Sequence, residues 1–173
     1  MNKNIATERD SFRIIGEVCI IERSLETGEV VGKYCENNIV LNTGKNSILR
    51  AMSTTDTNAH TARTIKIGDD VGSGTVLAPE QPIATLTAAN QSVIYEVDPN
   101  AIFVSNPSQT SVRFSTTLNG AAVMENFPAL PNIVYTSAVL YTYDNTAIAY
   151  KRFPGRTISP LISVEISWTL TIL

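Results

Sequence analysis

Histidine and cysteine are nearly missing from this chain of 173 residues, which has one histidine, His60, and two cysteines, Cys19 and Cys35. A structural zinc site needs a full tetrahedral shell, and these residues are too few to supply one within a single chain. A hydrolytic triad needs a base, an orienting partner and a nucleophile, and no signature of that kind is present. His60 sits in a Thr/Asn/Ala stretch and reads as an exposed loop residue. No catalytic residue is assigned, and the chain is not expected to be an enzyme. Charge is sparse too, at 17% of residues with a net charge of -3. That describes an ordinary surface, neither a polybasic nucleic-acid binder nor an acidic tail. No apolar run approaches the roughly 18 residues of a membrane-spanning helix. The opening MNKNIATERD lacks the apolar core of a signal peptide, so synthesis in a cytoplasm is expected. There is no internal repeat and no low-complexity block.

Metal and phosphate loops are poorly supported. GDDVGSG, residues 68–74, places Asp69 and Asp70 in a Gly-rich loop, a composition that suits a hard cation. It lacks alternating Asp/Asn ligands and a closing Glu, and no Gly-Lys-Ser/Thr follows. It reads as a solvent-exposed turn after the strand RTIKIG. No metal and no cofactor is expected.

What the chain has in abundance is period-two alternation. In the closing run SVEISWTLTIL, Val164, Ile166, Trp168, Leu170 and Ile172 form one row and Glu165, Ser167, Thr169 and Thr171 the other, the pattern of a strand with one buried and one exposed face. Similar segments rich in Thr, Val, Ile and Tyr precede it: QSVIYEV, AIFVS, TSVRFSTTL, NIVYTSAVLYTY and AIAYKRF. Asp-Pro, Asn-Pro, Asn-Gly and Asp-Asn turn signals separate them. SFRIIGEVCIIERS and EVVGKYC flank a turn and read as a hairpin. Only NNIVLNTGKNSILRAM changes period, with Asn42 or Thr43 as a helix cap and Ile48 with Met52 as an apolar pair one turn apart. Counting the hairpin gives roughly eight or nine strands and one helix. The fold class is therefore all-β, an antiparallel β-sandwich with one short helix and long loops. Residues 1–10 read as a flexible N-terminal arm and residues 11–173 as a single β-sandwich domain.

The hairpin sets the relation of the two cysteines. If Glu26, Thr27 and Gly28 form the loop, with Gly28 in the left-handed bulge position and Leu25 paired with Glu29, then Cys19 faces Cys35. A two-residue Thr27-Gly28 turn would shift the register and oppose Glu22 to Lys33 instead. The first geometry permits a cross-strand disulfide, whereas a reducing compartment and the lack of any other cysteine pair favour two free thiols.

Two further groups are candidate sites. YKRFPGR, residues 150–156, gathers Lys151, Arg152 and Arg156 beside Tyr150 and Phe153. The overall negative balance disfavours nucleic acid there, leaving polar contacts at a protein interface or the polar face of a strand running into a Pro-Gly turn. Tyr95, Tyr135, Tyr141 and Tyr143 suit either a sugar-binding platform or ordinary core and edge packing, the default for aromatic residues.

The order of segments resembles a family. NNIVLNTGKNSILRAM is followed by IKIGDDVGSGT with prolines at Pro79 and Pro82. SAVLYTYDNTAIAYKRFPGRTISPLISVEISWTLTIL then ends on a basic-aromatic cluster and a Trp-Thr-Leu strand. This is similar to small virion structural proteins of tailed bacteriophages, found in tail, neck or capsid-associated positions. The resemblance covers residues 36–86 and 133–173, and its most specific piece is Tyr150 to Leu173. It implies a β-sandwich repeated around a symmetric axis, with the arm or the loops at 54–62 and 68–82 binding neighbours. The expected partners are other virion proteins, portal, tail or capsid, and further copies of the chain, without nucleic acid or membrane. The expected location is the virion, after synthesis in a host cytoplasm. The alternative is a carbohydrate-binding β-sandwich module of the lectin or fibre-tip kind.

Overall fold

The structure, a computed structural model, describes residues 13–53, 60–70 and 91–173. The arm at 1–10 and most of the loops at 54–62 and 68–82 lie outside these residues. In chain order the elements are β1 (Ile14–Ser24), β2 (Val30–Val40), α1 (Asn42–Ser53), β3 (Ala62–Asp70), β4 (Gln91–Glu96), β5 (Phe103–Ser108), β6 (Ser111–Asn119), α2 (Gly120–Met124), β7 (Ile133–Thr142), β8 (Ala147–Ile158) and β9 (Ile162–Ile172). A 3-10 turn, Pro99–Ala101, precedes β5.

All strand pairs are antiparallel, in the order β4-β3-β7-β8-β2-β1-β9-β6-β5. The ladder folds into the two layers of an all-β sandwich. One layer holds β2, β1, β9, β6 and β5, the other β4, β3, β7 and β8. They are continuous only where the end of β2 meets β8, through Ile39 with Tyr150 and Val40 with Ala149. Val18, Ile20, Phe114, Ile166 and Trp168 from the first layer join Ile65, Ile67, Tyr135, Phe153 and Ile158 from the second in one core.

β9 explains its own sequence. It lies between β1 and β6, with Trp168 opposite Val18 on one side and Phe114 on the other. Val164, Ile166, Trp168 and Leu170 are buried as the alternation requires, but Ile172 is exposed where the sheet ends. The Glu165 row is half-buried rather than exposed. Neighbouring side chains cover a central strand: Arg113 Nε donates to Thr169 Oγ1 at 3.2 Å, and the Ser111 and Thr171 hydroxyls lie 2.9 Å apart.

Several expected boundaries move for identifiable reasons. β3 continues through Asp69 and Asp70 because β4 offers Ser92 and Gln91 as ladder partners. β5 runs through Asn106-Pro107, where a turn was expected; it ends the ladder, and the register is irregular between Ser105 and Ser108, a setting that tolerates a residue without an N–H. β8 likewise passes through Pro154-Gly155, which fall in a bulge where Tyr135 pairs with Arg156 and Ser137 with Arg152. Asn119-Gly120 opens a second helix, α2, instead of a tight turn, because the Asn119 side chain accepts from the N–H groups of Ala121 and Ala122. In α1 the Leu41 carbonyl accepts the first helical bond, from Lys45, and the Thr43 hydroxyl donates to Ala147 O at 2.7 Å. Gly44 permits this docking, since a Cβ there would lie 2.3 Å from Ile148 O.

The hairpin register holds by another route. Ser24 and Glu29 close the loop, Gly28 adopts φ 73°, and Leu25 bonds to Leu161 O instead of pairing with Glu29. An irregularity then places Arg23 opposite Val30 and Glu22 opposite Gly32, so Val31 is the inserted residue and Cys19 still faces Cys35. Their sulfurs form a disulfide, with Cα atoms 4.1 Å apart, which overturns the expectation of free thiols. A compartment argument sets only a prior, whereas direct cross-strand opposition brings the two side chains together.

Candidate functional site

Beyond Tyr150 the backbones of β2 and β8 separate, and side chains span the gap. Lys151 Nζ donates to Glu36 Oε2 at 2.8 Å and to Asn37 O at 2.9 Å. Arg156 Nη1 lies 3.3 Å from Glu22 Oε2. Between these ion pairs Tyr34 packs on Phe153 with ring centroids 5.7 Å apart, and Phe153 meets Tyr135 edge-on at 5.6 Å. The Arg156 guanidinium stands 5.3 Å from the Tyr34 ring centre, within cation–π range. Tyr34 donates its hydroxyl to Glu36 at 2.9 Å. The Lys151 and Tyr34 hydrogen bonds hold the Glu36 carboxyl below the usual carboxylate range, and desolvation raises the Tyr34 phenol well above its ordinary value. Two of the three basic residues singled out in YKRFPGR thus engage carboxylates of the same chain. Arg152, opposite Ser137 in the ladder, is half-buried.

His60 is not an exposed loop residue. Its side chain is 16% exposed, with Nδ1 3.6 Å from Asp144 Oδ2. Asp144 accepts from the Thr142 hydroxyl and from the Thr146 N–H, bonds that fix the β7–β8 turn, in which Asn145 takes a positive φ of 64°. The Thr142 bond is the main reason its carboxyl is held low. Ser47 and Arg50 of α1 share a small pocket with this pair. His60 also borders a larger cavity, about 1210 Å³, at the end of the sandwich where β1 begins. Neither arrangement is legible in local sequence, because His60 and Asp144 are far apart in the chain.

The remaining candidate residues divide. Tyr135 and Tyr141 are core residues, the latter under Lys66 Nζ at 4.8 Å, Tyr95 is half-buried and Tyr143 is 68% exposed. The four do not form one surface platform. The Asp70 side chain and residues 71–74 lie outside the described residues. Among the described residues no group of three or more His, Cys, Asp or Glu is placed to hold a metal, and no helix is long and apolar enough to cross a membrane.

Sequence reasoning missed the apolar surface. Leu25, Val30, Val31 and Leu161 are all exposed, Leu161 to 75%. Backbone contacts gather them at the hairpin tip, since Leu25 bonds to Leu161 and Val30 lies opposite Arg23. Phe103 and Val104 are exposed on β5, at the end of the ladder. The only signal in the sequence is a pair of valines just after a turn, where a strand would ordinarily turn polar. No family model, no curated protein and no solved structure matches the chain.

Proposed function

We propose that the chain is a non-enzymatic structural protein of a tailed-bacteriophage particle, an assembly component of the tail, neck or capsid surface. It acts as a symmetric homo-oligomer or as a repeated subunit on a larger assembly. The observation that carries this reading is the apolar patch at the hairpin tip, Leu25, Val30, Val31 and Leu161. Several large apolar side chains exposed on neighbouring backbone segments are costly in a free monomer and suit contact with another protein. The exposed end strand β5 adds backbone groups of the kind that proteins cover on assembly. A rotational assembly repeats one such contact at every subunit. Lys151, Arg152 and Arg156, candidates for polar interface contacts, act on this reading mainly within the chain, and the hairpin tip takes the interface role. The disulfide suits a particle that leaves the reducing cytoplasm in which its parts are made.

The test is the mass of the purified protein in solution together with its location in imaged particles. Val31→Asp with Leu161→Asp should leave the sandwich folded and lower the oligomeric mass, and deleting residues 1–10 should weaken assembly without unfolding the domain. A full-length protein that is monomeric at high concentration and absent from purified virions defeats the proposal. The carbohydrate-binding alternative keeps only Tyr143 as an exposed aromatic among its candidates, and saturable binding to a glycan panel would move it ahead.

A further inference from the structure

The large cavity is a gap between the two layers. Its apolar walls come from both: Ile14, Phe114 and Leu170 from the first, and Ile148 from the second, with Ile48 of α1 closing one side. All but Ile48 are buried residues that face the core elsewhere along their strands. The gap, about 1210 Å³, is a cleft that opens to solvent on a side lined by exposed residues that include Val104, Gln109 and Thr110. Water is a poor filler beside such walls because it finds few hydrogen-bond partners there. An alkyl chain suits them.

The rim is different in kind. At the start of β3, His60 and Arg63 border the cavity, and no Asp or Glu does so among the described lining residues. Arg63 is exposed, with its guanidinium 5.9 Å from the Tyr143 ring centre. The nearest carboxylate to His60, Asp144, belongs to the adjoining small pocket and lies against Nδ1. An apolar interior with the Arg63 guanidinium at its rim is complementary to a molecule with an apolar tail and a negative head.

We infer that this interlayer cavity binds a single-chain anionic amphiphile, an alkyl chain ending in a carboxylate or a phosphate, with the tail between the layers and the head at Arg63 and His60. The inference stands apart from the proposed assembly role. The experiment is calorimetric titration of the full-length protein with dodecanoate and dodecyl phosphate, each below its micelle threshold, and with dodecanol below its solubility limit. Both anions should bind saturably, one per chain, with dodecanol weaker by about two- to fivefold, the factor expected of one partly exposed charge contact. A preference for one anion assigns the head as carboxylate or phosphate. Arg63→Glu should abolish the anion preference and leave dodecanol binding unchanged. Ala51→Phe fills the cavity from α1 and should remove binding of all three; Val104→Phe, at an exposed wall position, serves if the first variant does not fold. Absence of saturable binding, whether because the chain's own residues, a second copy or nothing occupies the gap, overturns the inference. So does equal binding of alcohol and anions, or binding indifferent to the filling variants.

Discussion

Glu22 on β1 and Arg156 on β8 meet at 3.3 Å although their strands are not neighbours in the ladder. β2 lies between them, and its backbone pairs with β8 at only two positions, Ile39 and Val40. Past those positions the seam is closed by Lys151 with Glu36, Arg156 with Glu22, and the tilted and edge-on contacts among the rings of Tyr34, Phe153 and Tyr135. The basic cluster in YKRFPGR closes this seam.

Breaking that contact one side at a time should therefore matter more than removing it whole. Both side chains are mostly shielded, 19% exposed for Arg156 and 12% for Glu22. Arg156→Ala strands a carboxylate and should cost about 1–3 kcal/mol. The double change Glu22→Gln with Arg156→Met should recover much of that loss. Urea denaturation of the single and double variants checks both statements, and additive losses would show that the two residues are not coupled.

Trp168 sits at the centre of the core, fully buried, with its indole N–H unpartnered. Trp168→Ala should cost about 3–5 kcal/mol through the cavity it leaves. Trp168→Phe should cost clearly less, since the unsatisfied donor leaves with the larger ring. A loss below about 0.5 kcal/mol for the alanine variant would be that of a surface position and would remove β9 from the core.

The disulfide lies on the outer face of its layer, with Cys35 exposed, and closes a sequence separation of 16 residues. Loop entropy for a closure of about that size corresponds to about 3 kcal/mol. Mild thiol reduction of the folded protein should release two thiols, lower stability by about 2–3 kcal/mol and leave the strand signal in circular dichroism in place. Thiol counting before and after reduction checks it, and two reactive thiols in the untreated, air-exposed protein would contradict the pairing.

The pH limits of the fold follow from its phenols and carboxyls. Desolvation raises the phenols of Tyr34, Tyr135 and Tyr141 above their ordinary value of 10.0. The unfolded chain ionises first, so stability is intact below pH 10 and falls as pH rises from there through the folded values. Glu36 and Asp144 are held low, so their contribution is present above the ordinary values of 4.5 and 3.8 and is lost as pH falls through the lower folded ones. Denaturant midpoints measured across pH should decline at both ends. Phenolate absorbance should show part of the tyrosine titration delayed until the protein unfolds.

By itself the sequence determined the all-β class, most of the strands and the inward row from Val164 to Leu170, because a pleated strand exposes alternate residues to opposite faces and that period is written in the residue order. It offered Cys19 opposite Cys35 as one of two registers, and the structure chose it through a loop closed by Ser24 and Glu29 and an inserted Val31. Tertiary structure decided the rest. Ladder partners carried β3, β5 and β8 through segments whose local chemistry signals turns, since a strand continues wherever a neighbour accepts its backbone groups. Spatial meeting made a seam of Arg156 with Glu22 and brought His60 to Asp144, pairings that no local spacing encodes. The interlayer cavity and the apolar hairpin tip are likewise products of how the two layers close on each other, because burial depends on what the whole chain places opposite a residue and not on the residue's own neighbours in sequence.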